Sequence, residues 1–400
     1  MVMRIATLLL VGGGLVGCGG RSEAQDSGKV HAMAAELAPA VERAVGWPFK
    51  TPPIVEVRSK AQVRAYLAAK LDTELPPPRL DGMAAAYRLF GMLPDSVDLR
   101  SLLLALYTEQ VIGYYDPDSA ALYVVQGSDA ASQRMILAHE LVHALQAQYV
   151  RVDTLIAPTR VNDARTAAQA VLEGQATLAS LTILMPGRDF DAIPDFWETY
   201  RKSLEQQQAA MPIFSSAPLL IREGIVFPYL EGAEFVRWFV RAFPDTLPFG
   251  RHMPQSTEQI LHPDRFRSGD APVPLRLVTA DPAPLHTDVL GEFEVRILLT
   301  ELTGSETVAR ASTLGWGGDR YAVYAAADGD ALVWWAVWDD EAAAEQFAAV
   351  LKREWGQRAA AGRQFAIERT YVGGAPGVRL IDAPSGWWGW KRTPRVEVAR

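Results

Sequence analysis

The stretch MILAHELVHALQAQY, residues 135–149, sets two histidines four positions apart inside a run that is otherwise mostly apolar. Residues four apart on an α-helix project from one face, one turn apart, so His139 and His143 can hold one ion between them. Glu140 swings about a third of a turn away from His139, close enough to reach a water on that ion without binding the ion itself. The H-E-x-x-H spacing therefore divides the work between two imidazole ligands and a general base. Zinc suits it, because neutral imidazole is a good borderline ligand and a four-coordinate site leaves one position open for water. Two of the six histidines in the chain fall here, where a core helix wants leucine, and they are costly there unless an ion holds them.

Two imidazoles need a third ligand. On these residues the chain resembles the H-E-x-x-H zinc metallopeptidases, and among them the gluzincins, whose third ligand is a glutamate on a later helix. The metzincin extension is absent, since ALQAQYVRVD after His143 offers no third histidine. Two segments echo one another as carriers of the glutamate, LEGQA with Glu173 and LEGAE with Glu231. Glu173 lies on the next expected helix with Ala170, Ala176 and Thr177 on its face, so a carboxylate there approaches the motif helix without obstruction. Glu231 sits among Phe227, Tyr229 and Phe235 with Glu234 one turn away as a like-charged neighbour. Glu173 is the favoured ligand.

The resemblance implies Zn2+ on His139, His143 and Glu173, with Glu140 as general base in peptide-bond hydrolysis. It also implies an oxyanion donor, a Tyr or His after the third ligand, for which Tyr229 and His262 are the candidates. An edge strand beside the motif helix that pairs with extended substrate is a further implication, and ALYVV, residues 121–125, is placed to resemble it. Thr177, one turn beyond Glu173, is a candidate partner for a ligating histidine. The layout as a whole is similar to bacterial lipoproteins described as metallopeptidases.

The first residues read as an export signal: Arg4, then the apolar IATLLLVGGGLVG, then LVGC. LVGC resembles the bacterial lipobox, which implies cleavage after residue 17 and a lipid on Cys18, the single cysteine of the chain. The polar GGRSEAQDSGK that follows reads as part of a tether over residues 18–29. The expected protein is an exported lipoprotein, anchored through Cys18, in the outer membrane or at the cell surface, with a peptide or protein as substrate. The runner-up is a catalytically inactive lipoprotein that keeps the zincin fold for binding or assembly. A net charge of -8, with no cluster of Lys and Arg, argues against a nucleic-acid partner.

At 400 residues, with 49% hydrophobic and 22% charged residues, the chain is long enough for two domains with proper cores. The patterns predict an α+β protein: a mostly helical zincin-like domain with a small β-hairpin over residues 30–268, then a smaller α+β domain over residues 269–400. VIGYYDPDSAALYVV reads as a hairpin around an Asp-Pro-Asp-Ser turn. VNDARTAAQAVLEGQATLASLTIL reads as a long helix capped at Asn162 or Asp163, whose small residues let another helix come close. The tryptophans of GWGGDRY and ALVWWAVWDD read as filling for the core of a small sheet rather than as a recognition surface.

Overall fold

The computed structural model describes residues 23–190, 192–278, 282–358 and 362–399. The signal peptide expected over residues 1–17 and Cys18, the expected lipid acceptor, lie outside the described residues. The first described element is α1 (Glu23–Val45), so residues 23–29, expected as tether, form its opening turns. That segment has no proline, and it runs into a stripe of buried Val30, Ala34, Leu37 and Val41 at helical spacing, which sustains the helix. Among the described residues no helix is long and apolar enough to cross a membrane.

The chain continues through β1 (Ile54–Arg58), α2 (Lys60–Glu74), α3 (Pro77–Phe90) and α4 (Leu99–Gln110). Their starts are set locally: Ser59 and Gln62 cap α2 reciprocally, a proline opens α3, and Asp98 accepts from the Ser101 N–H at the head of α4. The expected hairpin follows as β2 (Gly113–Asp116) and β3 (Ala121–Val125), with Asp116 accepting from the Ser119 hydroxyl across the turn. One expectation fails here. β3 is the central strand of a sheet ordered β1-β3-β2, parallel to β1 and antiparallel to β2. Both its edges are occupied, so ALYVV has no free ladder groups to offer a substrate. The parallel partner is remote in sequence, and a hairpin pattern carries no sign of it.

The motif helix is α5 (Ala130–Tyr149), started by Asp129, whose carboxylate accepts from the N–H groups of Ala131 and Ser132. It is buried nearly all round, with Ile136, Leu137, Ala138, Leu141, Val142 and Leu145 fully covered. Each large aliphatic side chain among them contributes about 1.5–3 kcal/mol, enough to hold a helix that also carries polar groups. After α6 (Val152–Leu155) comes α7 (Asn162–Leu184). Its N-cap is Val161 rather than Asn162 or Asp163. Those two side chains are spent on distant partners: the Asn162 amide donates to Glu294, and Asp163 accepts from Thr257.

Next are α8 (Phe196–Ala209), α9 (Pro212–Ser216) and α10 (Leu219–Ala242), followed by α11 (Thr257–Leu261), capped by Ser256, and α12 (Pro263–Ser268). The small residues of α7 do what their sizes allow. A Cβ on Gly174 would lie 2.2 Å from the Gly232 carbonyl group, and one on Gly232 would lie 2.1 Å from the Ala170 oxygen. The glycines of the two LEG segments are therefore the crossing point of α7 and α10, backbone against backbone.

The remaining elements are β4 (Leu275–Leu277), β5 (His286–Asp288), α13 (Gly291–Thr303), α14 (Glu306–Thr313), β6 (Trp316–Tyr324), β7 (Ala331–Trp338), α15 (Glu341–Trp355), β8 (Arg363–Val372), β9 (Ala375–Pro384) and β10 (Val396–Val398). Five of the strands form an antiparallel sheet ordered β5-β6-β7-β9-β8, while β4 and β10 pair separately. β7 alternates cleanly: Leu332, Trp334, Ala336 and Trp338 pack with one cluster, and Val333, Trp335 and Val337 with another. The tryptophans of this region are core, as expected. The α+β class also stands.

The larger cluster draws its members from Val63 through to Leu380. Phe90 at the end of α3 meets Tyr321, Trp334 and Trp355 edge-on, and the Arg358 guanidinium caps the carbonyls of Leu89 and Phe90. Residues on both sides of position 268 thus share one core.

Candidate metal centre

Helix α5 brings the two motif histidines to the same side, with Nε2 of His139 and Nε2 of His143 3.0 Å apart. The crossing of α7 with α10 fixes the position of α7, and α7 delivers Glu173 from across the way. Its Oε2 lies 3.1 Å from His139 Nε2 and 3.2 Å from His143 Nε2. These three buried or half-buried side chains form a group that could hold a metal ion. The fit is close: an ion with donors at about 2.0–2.1 Å in tetrahedral array spaces them about 3.3–3.4 Å apart, so the side chains need open by only a few tenths of an ångström.

The charges support the same use. Burial would raise the Glu173 carboxyl, but the charge of His143 and hydrogen bonds from both imidazoles hold it down at about 2. Burial would lower His143, yet the Glu173 carboxylate lifts it to about 9. Burial pushes His139 down to about 4, in spite of its hydrogen bond to Glu173. The Glu173 carboxylate thus favours positive charge on its partners, which is the charge a bound metal ion would bring. Glu140 is fully covered, and its charge also acts on His143.

Gln146 was not singled out from the sequence, yet it touches the centre directly. Its Oε1 is 2.8 Å from His143 Nδ1, and its Nε2 donates to the Leu172 carbonyl and to Gln175 Oε1, each at 2.9 Å. A signal for it exists: positions 139, 143 and 146 are spaced i, i+4, i+7, so a third polar residue falls on the same stripe of an apolar helix. Gln175 lies two residues past Glu173 and carries no such mark.

The other candidates divide. Tyr229 is brought in: its ring centroid is 6.1 Å from that of His139, and both residues line a cavity of about 100 Å³ with Thr177, Tyr200, Leu204 and Gln207. Thr177 lines that cavity too, and no hydrogen bond joins it to either histidine among those of the described residues. His262 is not brought in. It ends α11 with its Nε2 3.0 Å from the Glu292 carboxylate on α13, and it lines a separate cavity of about 340 Å³ with Glu258 and Arg265. The turn into Pro263 aims it at α13, which its position before a proline does not reveal. Glu231 turns to Arg201, 2.8 Å away, and not to the histidines.

A second acidic group, Glu258, Asp270 and Asp339, has carboxylate oxygens close together, but the Arg265 guanidinium already bridges the two aspartates at 2.6 and 2.5 Å. There the protein supplies its own cation. At His139, His143 and Glu173 no Lys or Arg reaches the carboxylate among the ion pairs of the described residues.

A family described as a domain of unknown function (DUF8575) matches residues 280–380, which run from β5 through most of β9 and leave His139, His143 and Glu173 outside. No curated protein matches the chain. Among solved structures, one described as "a putative hydrolase with a novel fold from Chloroflexus aurantiacus" is similar at 17% identity, covering 63% of this chain and 92% of that one, with a TM-score of 0.37. A likeness of that size establishes neither fold nor activity for this chain.

Proposed function

We propose that this protein is a zinc-dependent peptidase of the gluzincin type, held at a membrane by a lipid on Cys18 and acting on peptide or protein substrates outside the cytoplasm. The observation that carries the reading is the convergence of three donor atoms within 3.2 Å of one another, with the fully covered Glu140 on the next position of the same helix. His139, His143 and Glu173 would hold the ion. Zinc bound there supplies a Lewis acid that polarises a carbonyl and makes water nucleophilic near neutral pH. Glu140 takes a proton from the attacking water at its carboxylate and returns it to the leaving amine. It lies about 60° round the helix from His143, within reach of the same space. Tyr229 is the donor for the developing oxyanion, supported by its place beside His139 in the shared cavity.

Zinc content and cleavage of a peptide library, measured for the wild type, Glu140→Gln and Glu173→Ala, test this. The glutamine variant keeps stoichiometric zinc and loses cleavage by at least about a hundredfold, as expected for loss of a general base. The alanine variant loses zinc. A wild type that binds no metal sinks the proposal, and one that binds zinc but cleaves nothing reduces the protein to a zincin-fold binding protein.

A further inference from the structure

We propose that Gln146 is a positioning residue of the metal centre, which holds the His143 ring in the single tautomer able to bind an ion; this rests on the metal-binding reading above. Gln146 is 1% exposed, and both ends of its amide are engaged. The orientation of that amide follows from its partners. The Leu172 carbonyl can only accept, so the NH2 of Gln146 must face it. The second amide hydrogen goes to Gln175 Oε1. Only Oε1 is left to face His143 Nδ1 at 2.8 Å, and an oxygen without hydrogens obliges that nitrogen to donate.

A neutral His143 therefore carries its proton on Nδ1 and turns the Nε2 lone pair toward His139 and Glu173. The other tautomer would set two lone pairs against each other at Nδ1 and put a hydrogen where the ion has to sit. Gln146 also joins the two arms of the centre, because its partners Leu172 and Gln175 flank Glu173 on α7. The orientation of one ligand on α5 is thereby tied to the register of the helix that bears another. An amide suits this place better than the carboxylate that often backs a ligating histidine. Glu140 and Glu173 are both buried here already, and a third negative charge beside them would add a desolvation cost.

The test uses the full chain and three readouts: zinc affinity by competition with a chromogenic chelator, thermal unfolding of the metal-free protein, and 15N NMR of the imidazole nitrogens in the zinc-loaded protein. Gln146→Leu removes the acceptor and both donors. Gln146→Glu keeps an acceptor toward His143 Nδ1 and gives up the donors to α7. Both variants should lower the melting temperature. Only the leucine variant should raise the zinc Kd, by about 10–100-fold, and lose the exchange-protected Nδ1–H of His143; the glutamate variant should stay within about threefold of the wild type and keep that signal. If the glutamate variant loses zinc as badly as the leucine variant, the role is merely structural and the proposal falls. It falls alone if Gln146→Leu binds zinc normally while Glu173→Ala does not, and it falls together with the metal reading if the wild type takes up no zinc.

Discussion

Replacing Gly232 by alanine should disable the metal centre from the far side of helix α7. The added Cβ would stand 2.1 Å from the Ala170 oxygen, 2.8 Å from its carbonyl carbon and 3.0 Å from its Cα. All three are backbone atoms inside a helix, so no side chain can swing aside. Restoring ordinary contact at 3.4 Å requires α7 and α10 to part by about 1.3 Å at the crossing, in an interior packed like a solid. Overpacking of this kind costs about 1–3 kcal/mol, and unfolding in urea should show it as a lower midpoint with an unchanged slope. The more telling effect is on Glu173, one turn along from Ala170. Metal–ligand distances tolerate about 0.2 Å, several times less than the displacement, so zinc affinity should fall at least about tenfold in chelator competition although no ligand is altered. Gly224→Ala is the matched control, since Gly224 lies in the same helix with nothing within 4 Å of its would-be Cβ. That change should leave zinc binding alone and stabilise the helix by about 0.5–1 kcal/mol. Wild-type zinc affinity in Gly232→Ala would refute the claim that this crossing positions the third ligand.

Three further outcomes are expected. Glu231→Ala should leave zinc content unchanged and cost at most about 1 kcal/mol, because its partner Arg201 is a third exposed and the pair is screened; loss of zinc would restore Glu231 as a ligand. Burial pushes the Asp163 carboxyl up to about 8, in spite of the hydrogen bonds from Thr257, whereas the unfolded chain titrates near 3.8. The folded state thus holds the proton more tightly, so this group's contribution is fully present below about pH 4 and is lost as pH rises through about 8. Urea unfolding from pH 5 to 9 should accordingly fall more steeply for the wild type than for Asp163→Asn, and parallel profiles would contradict the assignment. Trp334→Phe removes the indole N–H that donates to the buried Asp319 carboxylate at 3.0 Å, which should cost about 1–3 kcal/mol in unfolding experiments and leave zinc affinity untouched.

How much of this was legible depends on whether the deciding contact is local. The motif helix could be read because its cap, Asp129, and its paired histidines lie within one run, and helical periodicity alone puts His139 and His143 together. Glu173 could be read because the alanines around it advertise a close helix neighbour. The position of β3 could not, since its second partner, β1, pairs in parallel from a distant part of the chain. His262 failed for a similar reason: a histidine before a proline marks a turn but not its direction, and the turn points to Glu292. Asn162 and Asp163 look like caps by composition, and only the arrival of Glu294 and Thr257 from elsewhere draws their side chains away. Gln146 lies within reach of periodicity, but an amide on a helix usually reads as a surface residue.

The echo between LEGQA and LEGAE takes on a different meaning in three dimensions. Read as chemistry, the repeat offers two competing ligands. Read as packing, it is one device used twice: a glycine where two helices touch, preceded by a residue about 100° round the helix from the contact. A residue so placed cannot sit in the crossing, and it must leave along one flank of the helix pair. On α7 that flank faces α5, so Glu173 meets two imidazoles. On α10 the flank faces α8, so Glu231 meets Arg201. The crossing constrains both helices alike and so accounts for the shared glycine, but not for the two glutamates before it. They differ in role because each helix has a different third neighbour, and it is that neighbour, not the segment, that makes one of them a candidate ligand.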